Sequence, residues 1–581
     1  MTKDERAVFQ KMRNRLAVAK GDQPADLLLK NGRIVNIYSS EISEANLAVQ
    51  DGLITAIGSE YKEGKEIIDL EGKYLSPGLI DAHLHIESTL LLPPELARVL
   101  VARGTTCVIN DPHEIANVLG TDGVDLMMAA AEGLPCDFFF TVPSCVPATA
   151  METSGAELNA EQAAHLLKHP RVVGLGEMMN YPGVLDGDQE VLAKIIAAHS
   201  AGKVVDGHAP AVSGNGLQAY LSAGITTDHE CISAEEALEK LQCGMKIIIR
   251  HGSASSSLEE LLPLINNATA GAFMFGTDDR EAGELLGKGH LDELLKTAVS
   301  LGGDPFQMIK IATINPAKHY RLYDRGALAP GYRADLVVFE DLRNFKVCLV
   351  VKNGLVAVRE GQLTSPISNY SPPQSALQSV KIARVVTDKD FNLSLPAGNT
   401  AVIGVIPGQL TTKKLFLNVS CNSDGTMKAD SYAGINKIAV IERHKASGRL
   451  VVGLVQGIGL KQGAIASSVA HDSHNIIVAG VEGKAMATAV NQLARVGGGF
   501  VVVDGSNRVK ACLPLPVAGL MTLEPAGTVA SGMEKLLTAA RDLGVCLPQP
   551  FLTLSFLALP VIPSLKITDR GLFDVDNFRF L

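Results

Sequence analysis

One unit, repeated eight times through the middle of the chain, constrains the fold more than any other feature of the sequence. Between residues 76 and 320, an apolar run ends in polar residues and is followed by a stretch with helical spacing of apolar positions. The runs end near His83, Asn110, Pro143, Glu177, His208, His229, His251 and Asp278. Strands that alternate with helices in this way predict an α/β fold, with a parallel (β/α)8 barrel of the TIM type over residues 76–320.

Shorter β-type runs, separated by glycine turns, lie on both sides of this repeat. Residues 25–75 contain three of them, and a similar texture returns from Gly326 onward. Paired strands at this spacing suggest a small sandwich, so we expect both flanks to form one β domain around the inserted barrel. Residues 1–75 would supply an N-terminal helix and part of the sandwich, and residues 321–375 the return to it and a linker.

The linker is rich in proline and serine over residues 365–375, with the sequence SPISNYSPPQS. Beyond it, β-like runs such as GFVVVDG alternate with helical stretches such as residues 483–496. We therefore expect a separate C-terminal α/β domain over residues 376–581.

The charge balance narrows the class of partner. The chain has 52 basic and 62 acidic residues, a net charge of −10 and no lysine- or arginine-rich run, which disfavours nucleic acid and anionic membranes. Its nine cysteines include no CxxC pair, and neither the N-terminus nor the interrupted apolar segment 551–565 has the pattern of a signal peptide or a membrane span. We expect a cytoplasmic protein that acts on a small molecule and forms a homodimer or a higher homo-oligomer.

The first barrel strand ends in the sequence Asp81-Ala82-His83-Leu84-His85. Alternate residues of a strand face the same side, so both imidazoles would point into the barrel mouth, where they can chelate one cation. Taken alone, the pattern fits two ordinary core histidines equally well.

Four more run ends favour a metal centre over two core histidines. They are Glu177, His208, His229 and Asp278, and in a barrel the carboxyl ends of all strands meet at one mouth. Four imidazoles and two carboxylates exceed the needs of one tetrahedral ion, whereas two ions that share a bridging carboxylate would use them all. We therefore predict two divalent metal ions, with manganese or iron ahead of zinc.

In this order, the six residues resemble the metal centre of the amidohydrolase superfamily. The stretches GLGEMMNYPGV, NDPHEIANV, TTDHEC and SSVAHDSHNIIVAG further resemble the bacterial adenine deaminases of that superfamily, over nearly the whole chain. The resemblance implies hydrolytic deamination of adenine to hypoxanthine and ammonia. It places Glu177 where many members carry a carboxylated lysine. It also places His251 where relatives carry a glutamate, and we interpret this histidine as tolerated by local packing.

Such a deamination requires an attacking water and protons for a ring nitrogen and for the departing ammonia. Two metal ions would lower the pKa of a bridging water and hold it as hydroxide, and Asp278 is the candidate that carries its proton to the amine. Glu230, Glu114 and Glu87, in this order, are the candidate donors to the ring nitrogen. Each is equally suited to orient a ligand histidine instead.

Candidate substrate-binding residues lie in two segments. Glu87 and Ser88 follow the HxH pair, and His471, Asp472 and His474 belong to the segment SVAHDSHN of the C-terminal region. Because that segment is dense in polar groups, we expect it to narrow the barrel mouth and orient the purine. A turn in which Asp472 caps nearby backbone amides would explain the segment as well.

Two other functions fit the same ligand set. A metal-activated water can hydrolyse a cyclic amide, as in dihydroorotase-like members, and a non-catalytic assembly protein can share the fold. An acidic substrate would need a fixed basic group, and the loop motifs offer little beyond Arg250, for which a solvated or salt-bridged role is favoured. The complete ligand set favours an enzyme over an assembly protein.

Overall fold

The computed structural model of the chain describes residues 1–253, 255–394, 399–419 and 434–581. Its first part is a helix followed by five strands: α1 (Lys3–Ala19), β1 (Ala25–Asn36), β2 (Glu41–Gln50), β3 (Leu53–Gly58), β4 (Gly64–Asp69) and β5 (Tyr74–Pro77). The long strand β1 pairs with β2 in antiparallel fashion. A bulge between Leu29 and Gly32 divides it into one half that pairs with β4 and another that pairs with β5.

Eight parallel strands run through the middle of the chain, and each ends close to a predicted run end. They are β6 (Leu79–Leu84), β7 (Thr105–Asn110), β8 (Asp137–Val142), β9 (Val172–Met178), β10 (Val204–Gly207), β11 (Thr227–Asp228), β12 (Lys246–Arg250) and β13 (Phe273–Gly276). They form a curled five-stranded sheet in the order β10-β9-β8-β7-β6 and a three-stranded sheet in the order β11-β12-β13. Backbone contacts join the two sheets at both seams, through Thr226 and Val205 on one side and Leu84 and Asp278 on the other.

Helices alternate with these strands and pack on them through apolar faces. They are α2 (Pro93–Ala102), α3 (His113–Leu119), α4 (Thr121–Ala130), α5 (Ala160–Leu166), α6 (Tyr181–Asp186), α7 (Gln189–Ser200), α8 (Gly214–Ser222), α9 (Ala234–Gln242), α10 (Leu258–Leu261), α11 (Ala282–Gly287), α12 (Leu291–Ser300), α13 (Pro305–Ile311) and α14 (Ile314–His319). In α12, for example, Leu291, Leu294, Leu295 and Ala298 are buried. This spacing is that of one helix face turned towards a core.

The chain then returns to the first sheet through four strands: β14 (Leu336–Phe339), β15 (Val347–Lys352), β16 (Leu355–Arg359) and β17 (Gln362–Leu363). Strand β14 pairs with β5, so both flanks of the parallel region contribute to one nine-stranded sheet.

The C-terminal region contains a second large sheet. Its elements are α15 (Gln374–Leu377), β18 (Asn399–Val405), β19 (Thr412–Asn418), β20 (Ile435–Ile441), β21 (Leu450–Gln456), β22 (Ala464–Ser467), β23 (Ile476–Gly480), α16 (Gly483–Val496), β24 (Gly499–Val503), β25 (Val509–Pro514), α17 (Ala526–Asp542), α18 (Pro550–Phe556), β26 (Leu565–Thr568), β27 (Gly571–Asp574) and β28 (Arg579–Phe580). Eight strands form the sheet, in the order β19-β18-β21-β20-β23-β22-β24-β25, and the last three strands of the chain form a small separate one. None of the helices in the described ranges has both the length and the apolar character needed to cross a bilayer.

This region packs against the parallel strands at the end where the polar residues lie. The backbone amide of Thr522 donates to the carbonyl oxygen of Leu90 (2.9 Å), and that of Ala526 donates to the Glu95 carboxylate (3.0 Å). Helix α17 packs on α11, which follows the last parallel strand. The C-terminal region therefore covers part of the mouth formed by the strand ends.

Candidate active site

Two histidines enter the mouth from the end of β6, and both imidazoles are buried. Nδ1 of His85 donates to the carbonyl oxygen of Asp111 at 2.9 Å. This bond leaves its Nε2 facing Glu177 and Asp278, at 3.4 and 3.1 Å. A histidine held through one ring nitrogen while the other faces carboxylates has the usual arrangement of a metal ligand. His83 lies beside it, with the two ring centroids 4.8 Å apart.

The Glu177 carboxylate, at the end of β9, lies at the centre of the cluster. Its Oε2 is 2.7 Å from Nδ1 of His208 and 3.2 Å from Nε2 of His229. Its Oε1 is 3.4 Å from Nε2 of His85 and 3.3 Å from Nδ1 of His113. Burial favours its neutral form, but the bonds from His208 and His229 hold its pKa well below the usual range. The ionised Glu177 carboxylate therefore lies between two sets of candidate metal ligands. One oxygen is near His208 and His229, and the other is near His85.

The Asp278 carboxylate, just after β13, closes the cluster on the opposite side. Its Oδ1 lies 3.2 Å from Nε2 of His83 and 3.1 Å from Nε2 of His85, and its Oδ2 contacts the Arg250 guanidinium. Burial opposes ionisation, yet the charge of Arg250 holds the pKa of Asp278 well below its usual range. Its backbone is left-handed, with φ 55°, a conformation that L residues adopt at a cost and that occurs at functional sites.

The cluster has the donor chemistry of a divalent metal site. Buried Nε2 of His83 makes no hydrogen bond of good geometry within the described residues, although Asp278 lies close to it. Ligand atoms of His83, His229 and Asp278, and likewise those of Glu177, His208 and His229, lie within 4.8 Å of one another. Imidazole nitrogens and carboxylates that converge in this way suit a shared divalent ion.

Comparison with known proteins connects this geometry to a family. The amidohydrolase family profile matches residues 74–357, and the profile of the adenine deaminase C-terminal domain matches residues 409–579. An adenine deaminase of Desulfatibacillum aliphaticivorans is 47% identical over 97% of this chain and 98% of its own length. The chain belongs to the adenine deaminase family. An adenine deaminase of Clostridium acetobutylicum is also 47% identical, again over 97% of this chain and 98% of its own length.

Solved structures are similar to the chain only at low sequence identity. A β-aspartyl dipeptidase from Fervidobacterium islandicum is 16% identical, with a TM-score of 0.45 over 59% of this chain and 99% of its own. The resemblance expected from the motifs is confirmed by the adenine deaminase relatives and the two profiles. So is the expected enzyme class, a metal-dependent hydrolase of carbon–nitrogen bonds.

Two further residues of this adenine deaminase site were not on the list of candidates from the sequence. His113, the first residue of α3, contacts Glu177 and stacks edge-on against His85, with ring centroids 4.6 Å apart. Arg250, at the end of β12, contacts the carboxylates of Glu230 and Asp278 and lies 3.2 Å from that of Asp279. The salt-bridged role favoured for Arg250 agrees with this position. For His113, its place three residues after the end of β7 was the available signal.

The segment that contains His471 and His474 reaches the site through Glu114. Nδ1 of His471 contacts one oxygen of the Glu114 carboxylate, and Nε2 of His474 contacts the other. All three side chains are buried. Burial alone would raise the pKa of Glu114, but the two histidines and His113 hold it well below the usual range. We call this set of Glu114, His471 and His474 the clamp, because it joins a side chain of the parallel strand region to the C-terminal region.

A cavity of about 270 Å³ lies beside the candidate metal ligands: its described lining includes none of the six, but it includes Asp279, which shares Arg250 with Asp278. Of the residues predicted for substrate binding or catalysis, it is lined by Glu87, Ser88, Glu114, His471 and His474. Ser88 donates to Asp279 at 2.5 Å, and Asp279 also lines the cavity.

Two other predicted residues lie elsewhere. Glu230, first of the three candidate proton donors, is bound to Arg250 and does not belong to the described lining. Asp472 is also outside that lining and is buried behind the clamp, where burial and the charge of Glu114 raise its pKa to about 6.

Glu87 has an oxygen that the surrounding protein leaves free. Its Oε1 accepts a bond from the backbone amide of Ile115 at 3.0 Å, whereas its buried Oε2 has no partner in the described parts of the chain. Burial raises the pKa of Glu87 to about 7. Its position beside the cavity makes it available to a bound molecule.

Proposed function

We propose that this chain hydrolyses adenine to hypoxanthine and ammonia at a centre of two divalent metal ions. The observation that carries the proposal is the convergence of six ligand side chains beside a cavity whose opposite side comes from the adenine deaminase C-terminal region. The backbone contacts at both seams further support one closed (β/α)8 barrel in the middle of the chain. The flanking sandwich, the separate C-terminal domain and the four segments predicted from the sequence (1–75, 76–320, 321–375 and 376–581) complete this proposed organisation.

His83, His85, Glu177, His208, His229 and Asp278 would hold the two ions. When bound, such ions make water acidic enough to attack at neutral pH. Nitrogen and carboxylate ligands suit manganese, iron and zinc, and we retain manganese or iron as the proposed metals. Glu177 would supply a carboxylate to both ions directly, so no lysine would have to react with carbon dioxide.

Asp278 is the residue proposed to move a proton from the attacking water to the departing amine. Arg250 keeps its carboxylate ionised and oriented, because it contacts the oxygen that faces away from His83 and His85. Acid–base groups of this kind contribute about 10²- to 10⁴-fold to rate.

Glu87 is the residue we propose as hydrogen-bond partner of the purine ring nitrogen. It lines the cavity and has an unpaired oxygen, whereas Glu230 is held by Arg250 and Glu114 by the two histidines of the clamp. This reverses the order suggested by sequence. The clamp in turn would position the base and exclude water from the mouth.

The test is ammonia release from adenine by the manganese-loaded protein, together with its metal content. We expect Asp278→Asn and Glu87→Gln to lower kcat by at least about 10²-fold, and His83→Ala to lose both metal and activity. Glu63→Gln, at an exposed carboxylate between β3 and β4, serves as control. Absence of bound metal together with absence of ammonia release would contradict the proposal. The homo-oligomeric state and the cytoplasmic location stay predictions.

A further inference from the structure

The cavity beside the metal ligands has two chemically different walls. The side contributed by the parallel-strand region is polar and includes Glu87, Ser88 and Asp279. The opposite side is mostly apolar and comes from the C-terminal region, through Val529, Ala530, Met533 and Leu537 of α17 and Phe551 and Leu552 of α18. The four α17 residues follow helical spacing, so one face of that helix forms the wall.

The wall stands close to α11. A methyl group built on Gly283 of α11 would lie 3.8 Å from the Cβ of Ala530, so the two helices approach each other through small residues. Exposed Glu534 also lines the cavity and places its opening to solvent at α17. The polar side is joined to the candidate metal ligands, because Asp279 shares Arg250 with Asp278 and the backbone amide of Ser88 donates to the carbonyl oxygen of His85 at 3.3 Å. The apolar side therefore extends away from those ligands, towards exposed Glu534.

Deamination fixes how adenine lies in such a space. Its C6 has to face the metal ligands, so the opposite edge, which carries N3 and N9, is directed away from them. That direction leads from the polar wall towards α17 and α18. Because a bare purine ends in a C–H and N–H edge there, it leaves much of the apolar wall uncovered.

Resting on the proposed function, we propose that the apolar wall of α17 and α18 accepts a short alkyl group on N9, and that 9-alkyladenines are substrates. The reaction balances without the N9 proton. The oxygen of water bonds to C6, one proton of that water goes to N1 and the other to the amine, the C6–N6 bond breaks, and ammonia leaves. The product is the 9-alkylhypoxanthine, and the alkyl group only occupies space.

The size of the effect follows from the area that the alkyl group buries. Each methylene that moves from water to the wall is worth about three- to fourfold in kcat/KM. A ribosyl group at the same place sets hydroxyl groups against apolar side chains without partners, which lowers kcat/KM by about 10²-fold or more.

The experiment compares adenine, 9-methyl-, 9-ethyl- and 9-propyladenine and adenosine with the metal-loaded full-length protein. We expect kcat/KM to rise from 9-methyl- to 9-propyladenine and to lie within about tenfold of adenine, with adenosine far below. Calorimetry is expected to show tighter binding of 9-propylhypoxanthine than of 9-methylhypoxanthine. This difference measures the affinity that the alkyl group gains from the apolar wall, without turnover.

A variant locates the effect. Ala530→Leu fills the wall and is expected to lower the ratio of kcat/KM for 9-propyladenine to that for adenine by at least about tenfold. Thr538→Leu places the same leucine side chain at an exposed position of α17 and is expected to leave this ratio unchanged.

Adenine turnover without turnover or binding of any 9-alkyl compound would overturn this inference and leave the proposed function standing. An unchanged ratio in a folded Ala530→Leu protein would overturn it as well. If Ala530→Leu does not fold, the calorimetric series decides, and equal affinities along that series would count against the wall. Failure with adenine itself would overturn the proposed function.

Discussion

Near the metal ligands, the buried Arg250 lies among three carboxylates, whereas in the C-terminal region the buried Arg443 lies among three backbone carbonyl groups. The acceptors of Arg443 belong to Ser468, His474 and Ala518. Arg250 forms ion pairs, and Arg443 forms none within the described residues. Arg250 therefore balances the charge of neighbouring carboxylates, whereas Arg443 holds neighbouring backbone segments in place through hydrogen bonds.

The pKa directions express the same difference. Burial disfavours both charges, but neighbouring carboxylates raise the pKa of Arg250, whereas burial lowers that of Arg443 to about 9. A buried cation is costly unless it is paired or well hydrogen-bonded. Two of the Arg443 acceptors lie at the ends of the segment that carries the clamp histidines. Arg443 thus contributes to the site by fixing the path of that segment.

The largest expected effect comes from removing the charge balance at Arg250. We expect Arg250→Met to lower kcat by about 10²-fold or more, because Asp278, Asp279 and Glu230 lose their shared counter-charge and their orientation. Arg250→Lys is expected to recover part of this loss, since an ammonium group restores the charge but not the planar guanidinium that contacts several carboxylates at once. Steady-state kinetics, with metal content measured in parallel, provides the check.

Arg343→Met, at an exposed position, is the control for that series. If Arg250→Met retained near wild-type kcat with its metal in place, catalysis would not depend on the charge of Arg250, and the proposed difference between the two arginines would be contradicted.

A smaller effect, on stability, is expected in the C-terminal region. Arg443→Met leaves three buried carbonyl groups without their donor, so we expect the free energy of unfolding of this region to fall by about 3 kcal/mol. We also expect KM for adenine to rise, because the clamp segment loses its support. Denaturant unfolding followed by a probe in this region measures the first effect. Greater stability of the variant would mean that the buried charge, rather than its bonds, dominates.

The smallest effect concerns Lys566, another buried cation of the C-terminal region. Its Nζ donates to the carbonyl oxygens of Leu410 and Phe556, both at 2.9 Å, and burial lowers its pKa to about 7. The unfolded chain, with a lysine pKa of about 10.4, binds more protons than the folded chain between these values. Stability therefore rises with pH above 7, by about 1 kcal/mol from pH 7 to 8.

Lys566→Met is expected to lack this rise, which denaturant unfolding of both proteins at pH 7 and pH 8 would show. Equal pH dependence of the two proteins would place the proton uptake elsewhere. Either result sharpens the comparison, because Lys352 near the parallel strands has carboxylate partners at 2.7 Å and its pKa is raised instead.

The grouping of the candidate ligands could be predicted from the sequence, because the pattern that marks each strand end is local. Each parallel strand is an apolar run that ends in a polar residue, and the strand ends meet at one mouth, so His83, Glu177, His208 and Asp278 could be grouped without knowing any contact. The contacts of Arg250 and of the clamp could not be read in this way. They join residues up to 360 positions apart, as between Glu114 and His474, and depend on how separate regions pack.

The reason for the altered order of the glutamates is also three-dimensional. Glu230 and Glu87 both stand near strand ends, and the sequence, which ranked Glu230 first, does not show what either carboxylate contacts. The difference arises from their neighbours. Arg250 is bound to the Glu230 carboxylate, whereas Glu87 accepts a single bond, from the backbone amide of Ile115, and its Oε2 has no partner in the described residues.

The clamp has a consequence for how this chain can be altered by recombination. Since Glu114 bonds to both His471 and His474, the two segments have to match before the mouth has its shape. Exchanging the C-terminal region with that of a relative also exchanges one wall of the cavity, and with it the substituents the cavity tolerates. A hybrid built at residue 375 would therefore inherit its chemistry from one parent and its choice of substrate from the other.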